Sequence, residues 1–264
     1  MGGSLGMALR AQGLAQSVVG WDLEAEALTL AFQRGAIDIA EPDLVTAVRQ
    51  ADAIFLAVPV GVAPALLERI RPHVRPDALL SDLGSVKTDI VAVGHRLFGA
   101  RFVGGHPMAG SERSGVGAAR ADLFADAAWA IVAAQMPAPT ADFALSRLLA
   151  LVVALRARPL LLDAATHDRL AALVSHLPHA LAFAFQETIG TDMERELALQ
   201  LAGGSYRDMT RIASSDPALW HGIFQANRDF LLAALGTYEQ QLAALSQAIR
   251  DNDPTVLHRI MDAL

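Results

Sequence analysis

The chain has 264 residues, 53% of them hydrophobic and 19% charged, which is enough to fill two compact cores and excludes global disorder. It contains no cysteine, which excludes disulfides, thiolate nucleophiles and cysteine-ligated zinc or iron–sulfur sites. Twenty-one Lys and Arg stand against 28 Asp and Glu, a formal net charge of −7 that disfavours nonspecific nucleic-acid binding, so an anionic ligand must meet locally placed Arg or His.

Gly2-Gly3-Ser4-Leu5-Gly6 leads directly into a helical pattern over 3–14, and an apolar run over 17–21 predicts a strand ending at Asp22. No basic stretch and apolar run come after Met1, so a secretory signal is not expected. Further strands are predicted at 53–58, 78–82, 101–104, 128–133 and 159–162, with helices over 24–34, 62–70, 86–98 and 141–156 between them. This alternation implies a mostly parallel sheet with helices on both faces. From Asp163 onward the strand signals stop, and the pattern becomes Ala/Leu-rich and helical, broken at Gly190, Gly203-Gly204 and Pro217. The expected division is an α/β domain over 1–163 and an all-helical domain over 164–264. The sparsely charged stretch 170–186 contains His176, Pro178 and His179 and reads as a buried core helix rather than a membrane span, and a cytoplasmic location fits the absence of cysteine. Leu231, Leu235, Tyr238, Leu242, Leu245 and Ile249 are spaced 4, 3, 4, 3, 4, the seam of two helices lying side by side, either within the chain or between subunits.

A dinucleotide-binding fold needs a strand, a G-x-G-x-x-G turn, a helix, a second strand and an acid about 20 residues on. With Gly2 taken as the last glycine of that fingerprint, Asp22 falls at this distance. Its carboxylate would accept hydrogen bonds from the adenosine ribose and repel a 2′-phosphate, favouring NAD over NADP; a simple turn residue is the plain alternative. The first strand and the first two glycines are missing, so Met1 is expected to be an internal methionine of a chain that begins upstream. ADAIFLAVPV (51–60) predicts a buried strand ending in a Val58-Pro59 turn, where a parallel sheet opens a ligand crevice. SDLGSVK (81–87) repeats that design, with Ser85 as a candidate helix cap.

Three clusters carry candidate chemistry. GGHPMAGSE (104–112) fixes His106 at the end of a strand, after two glycines that permit close backbone approach and before a proline that restricts it to extended conformations. A structural loop histidine is the alternative. In HDRLAALVSHLPHA (167–180), Asp168, Ser175 and His179 fall within roughly 40° of one another on an ideal helix, leaving His176 as a structural residue. Pro178 must distort that helix, and metal binding by His176 and His179 lacks a carboxylate at ligand spacing. In GSYRDMTRIASSDPALW (204–220), Arg207 and Arg211 share a helix face, as two guanidiniums would around a substrate bearing two carboxylates or on a merely solvated basic face.

Taken with GGSLG (2–6) and LAVPV (56–60), these strings resemble the prephenate/arogenate dehydrogenase family across essentially the whole chain. The resemblance implies a Rossmann-like domain, here apparently short of its first strand, followed by a helical dimerisation domain that makes a homodimer, with NAD and a small substrate bound between them. It implies no metal, nucleic-acid or membrane partner. Gly2, Gly3, Ser4, Leu5, Asp22, Val58, Pro59 and Ser85 would line the cofactor. His106 would be the base and Ser85 would orient it. Arg211 would hold the ring carboxylate, and Arg207 with His179 the side-chain end. Asp168 would orient Arg211 or His179, Ser175 would lie on the substrate face, and Glu112 would gate or contact the side chain. Two other readings stand beside this one: a β-hydroxyacid dehydrogenase relying on Lys87, and a non-catalytic nucleotide-binding or dimerising protein.

Overall fold

The computed structural model describes residues 1–110, 114–133 and 143–262. Its first half runs α1 (Gly2–Ala11), β1 (Val19–Gly20), α2 (Ala25–Gln33), β2 (Ile39–Ala40), α3 (Leu44–Arg49), β3 (Ala53–Leu56), α4 (Ala63–Ile70), β4 (Leu79–Asp82), α5 (Thr88–Phe98), β5 (Phe102–Pro107), β6 (Ala128–Val132), α6 (Phe143–Ala154) and β7 (Arg158–Leu162). Strands β3 to β7 form one sheet in that order, and β1 and β2 form a second, separate pair. Among the described strands every ladder is parallel except β5–β6, where His106 stands opposite Ala130 on a strand running the other way. The expectation of a mostly parallel sheet holds with that one reversal. Strand β2 and helix α3 have no counterpart in the sequence reading, because two and six residues are too short to show a period.

Alternation along the strands builds two cores. Leu79, Val103, Trp129 and Ile131 face α1 and α6, while Leu80, Phe102 and Val132 face α3, α4 and α5. The sheet is thus covered on both faces, and its ligand edge is where β3, β4 and β5 end together.

Beyond Leu162 the chain is helical: α7 (Ala164–Ala171), α8 (Leu177–Gly190), α9 (Arg195–Gln200), α10 (Gly204–Thr210), α11 (Pro217–Ala226), α12 (Arg228–Arg250) and α13 (Pro254–Met261). The Asp163 carboxylate caps α7 by accepting from Thr166 N at 2.9 Å, and Asp216 caps α11 the same way from Ala218 N. Between α7 and α8, residues 172–176 form a π-helical turn in which Leu177 N bonds Ala172 O. Pro178 has no N–H to continue an ordinary α ladder there.

The stretch 170–186 is not the buried core helix expected. Val174 is 66% exposed, and Ala182 is the buried residue of α8. The α12 seam likewise starts buried at Leu231 and ends open, with Leu242 48% and Ile249 62% exposed. The helical half therefore turns an apolar face outward. Among the described residues, no helix is long and apolar enough to cross a membrane.

Candidate active site

Glycine positions shape the ligand edge. A Cβ on Gly6 would lie 2.0 Å from the Ala36 carbonyl, so α1 can cross the chain entering β2 only without a side chain there. Gly2 is a close approach too: a Cβ there would lie 2.9 Å from that of Ala57, just past β3. A Cβ on Gly105 would lie 2.6 Å from the Asp82 carbonyl, which lets β5 lie tight against the end of β4.

The first helical hydrogen bond of α1 runs from Leu5 N to Met1 O at 3.0 Å. The amides of Gly2, Gly3 and Ser4 precede it and are the donors a helix start offers to a phosphate. The side chains of Ser4 and Leu5 turn inward: the buried Ser4 hydroxyl accepts from Arg120 N at 3.1 Å, and Leu5 is core. Asp22 is exposed just past β1 and accepts from Glu24 N at 3.0 Å. Val58 packs partly into the sheet core and Pro59 is exposed, while the neighbouring Val60 packs on a cluster formed by Val86 and, from the helical half, Trp220.

The buried centre is a chain of polar groups. His106, at the end of β5, places Nδ1 2.9 Å from Nε2 of His167 on α7, and His167 Nδ1 lies 2.7 Å from Asp168 Oδ1. Asp168 also accepts from Lys87 N at 2.7 Å, Thr88 N at 2.9 Å and Thr88 Oγ1 at 2.5 Å. A helical-half carboxylate thereby caps the start of α5 in the sheet half, where the helix dipole favours negative charge. Burial alone would raise the Asp168 carboxyl, but hydrogen bonds from His167, Thr88 and Lys87 hold it below the usual carboxylate range. Burial, with the charge of Lys87 and the nearby His167 and His176, holds His106 well below the ordinary histidine value, so it is neutral at neutral pH.

One expected role fails. Asp168 does not orient Arg211 or His179, because both its oxygens are occupied by the start of α5 and by His167. Ser85 lies half-buried in the loop after β4, and the hydrogen bond at His106 Nδ1 is shared with His167. Lys87 is fully buried, with its ammonium on the Asp82 carboxylate and 2.8 Å from the Gly105 carbonyl. It braces β4 against β5, whereas the β-hydroxyacid dehydrogenase reading would rest catalysis on this lysine.

The π turn explains why an ideal helical wheel misplaces the histidines. One extra residue in the turn rotates the rest of the helix by about 100°, which carries His176 onto the face of Asp168. Asn227, at the start of α12, joins them by donating from Nδ2 to the Asp168 carbonyl at 2.8 Å and to His176 Nδ1 at 3.0 Å. His176 Nε2 is then the protonated nitrogen, a buried donor without a partner among the described residues.

The outer wall is more open. The His179 ring stacks on Trp220 with centroids 3.6 Å apart, and its Nδ1 lies 2.9 Å from the Ser175 carbonyl, so Ser175 contributes its backbone here. Burial, countered by that hydrogen bond and aided by the charge of Arg211, lowers the His179 pKa. Arg211 is exposed just after α10 and faces His179. Arg207 is exposed too, but donates to the Ala202 carbonyl at 3.1 Å, so Arg211 rather than Arg207 is the guanidinium set against His179. Glu112 lies outside the described residues. Sequence reasoning missed His167, Asn227 and Trp220; the His167-Asp168 dipeptide was the one available signal.

Comparison with known proteins decides the family. Residues 5–157 match the prephenate dehydrogenase nucleotide-binding domain and residues 163–263 the prephenate dehydrogenase dimerization domain. The chain belongs to the prephenate dehydrogenase family. It is 32% identical to a prephenate dehydrogenase of Lactococcus lactis, over 99% of this chain and 72% of that protein. The fold matches the crystal structure of prephenate dehydrogenase from A. aeolicus in complex with hydroxyphenyl propionate and NAD+, with a TM-score of 0.89 and 29% identity over 99% of this chain and 91% of that one. It also matches Synechocystis arogenate dehydrogenase, with a TM-score of 0.81 and 29% identity over 99% and 93%. In this prephenate dehydrogenase family member, Trp220 lies between the two groups, its ring centroid 6.1 Å from that of His176 and 3.6 Å from that of His179.

Proposed function

We propose that the protein uses NAD+ to convert prephenate, or its amino counterpart arogenate, to the corresponding phenol with loss of CO2, as a step toward tyrosine. The observation that carries this reading is the neutral His106, buried at the end of β5 and held from the other half of the molecule by His167. Residues 1–163 serve the cofactor, and residues 164–264 serve the substrate and dimerisation. The amides of Gly2, Gly3 and Ser4 face the diphosphate, Asp22 the adenosine ribose in favour of NAD, and Val58, Pro59 and Ser85 the nicotinamide side. Bound NAD+ supplies the hydride acceptor.

His106 takes the proton of the ring hydroxyl as the carbinol C–H bond breaks and the oxygen becomes a carbonyl. The ring carboxylate then leaves as CO2, its bonding pair enters the ring, and His106 returns the proton to the phenolate oxygen. Arg211 holds the ring carboxylate and His179 the side-chain end, with Arg207 as a more distant positive charge. A dianionic substrate in a net-acidic protein needs such a local cationic wall. The exposed apolar faces of α8 and α12 support a homodimer, and the composition supports a cytoplasmic enzyme.

NADH formation on mixing the protein with NAD+ and prephenate or arogenate is the test. Turnover of a simple β-hydroxyacid, with neither cyclohexadienol consumed, would overturn the reading.

A further inference from the structure

The unassigned element of the site is the pair behind His106. Resting on the reading of His106 as the base, we infer that His167 and Asp168 are positioning residues that hold the His106 ring in one tautomer, with its proton on Nδ1 and its lone pair on Nε2. Donors and acceptors must alternate along the line of these three groups. The Asp168 carboxylate only accepts, so His167 Nδ1, 2.7 Å away, carries a hydrogen. With the His167 ring neutral, its Nε2 is then an acceptor. His106 Nδ1, 2.9 Å from that nitrogen, must donate to it. Nε2 of His106 is left as the basic atom.

The line cannot easily reverse. Lys87 N, Thr88 N and Thr88 Oγ1 all donate into Asp168, which fixes it as an acceptor at the start of α5. The groups around the two rings are Lys87 at the start of α5, Asp82 against it, His176 in the π turn, and Asp168 beneath. Both rings and the carboxylate are buried, so water does not compete for these bonds. The positive charge that forms on His106 when it takes the substrate proton meets the lone pair of His167, which is in turn polarised by a carboxylate. The arrangement aims the base and steadies its charged form, and no proton need leave His106 for either effect.

Nitrogen-15 NMR of the histidine-labelled full chain at neutral pH reads the tautomers directly, with the eight histidines assigned through single variants. The expected result is a proton on Nδ1 of both His106 and His167. A proton on Nε2 of His106, or a doubly protonated His167, overturns the inference. Kinetics give a second reading. His167→Phe removes the acceptor and should lower kcat by about 10²–10⁴-fold, as loss of the correct tautomer does elsewhere, with KM and NADH binding near parental values. His167→Gln, which restores an acceptor oxygen, should recover a substantial part of that loss. A His167→Phe enzyme with parental kcat, or one affected in KM alone, also overturns it. The base reading fails separately: if His106→Ala turns over like the parent, there is no base to position, whereas an inert His106→Ala beside a fully active His167→Phe removes only the inference about His167 and Asp168.

Discussion

The two walls of the site are built on opposite principles. Around His106 the side chains of His167, Asp168 and Lys87 are buried and the hydrogen bonds run from strand to helix to helix start, so geometry is fixed. Around Arg211 the cations are exposed, and the ring beside them, His179, is stacked on Trp220. Proton transfer needs an atom held within a fraction of an ångström, whereas holding a carboxylate needs charge more than rigidity. The buried wall is suited to chemistry and the open wall to capture.

Mutations should separate the two. The largest effect is expected from His106→Ala, with kcat falling by about 10²–10⁴-fold and NAD+ binding retained, as steady-state kinetics and cofactor titration would read. Arg211→Ala should act on capture instead, raising KM by about 10–100-fold, the loss of charge-assisted hydrogen bonds worth about 1.5–3 kcal/mol. A large fall in kcat at unchanged KM would mean the open wall takes part in chemistry after all. Acid should weaken the buried wall. Burial lowers the His176 pKa to about 4, so the folded protein resists a proton that the unfolded chain takes up at about 6.5. Stability should therefore be full above about pH 6.5 and decline toward pH 4, by at most about 3 kcal/mol from this group, measured as Tm against pH. His106 contributes in the same direction. Arg207→Ala should have the smallest effect, at most about a few-fold in KM, since its guanidinium is exposed and turned to the Ala202 carbonyl.

The buried wall was also only half legible in the sequence. His106 stood out because Gly104, Gly105 and Pro107 restrict the backbone around it, and restriction is written locally. The strands β3 to β7 were legible for a similar reason, each being a short apolar run between turn signals. The reversal of β6 was not, because strand direction is set by the path of the connection after β5 and not by the strand's own residues. His176 was lost to an ideal wheel at 100° per residue: Pro178 announced a distortion, but nothing in the sequence said that it would be absorbed as a π turn at 172–176. Asn227 and Trp220 come from elements far along the chain, and only folding brings them to Asp168 and His179.

Asp168 sits in the helical half yet terminates a helix of the sheet half. Swinging the two lobes apart would strip several donors from a buried anion at once, so this carboxylate works as a rivet across the cleft. Parting the lobes would leave that anion buried without its donors, so the floor of the cleft resists opening.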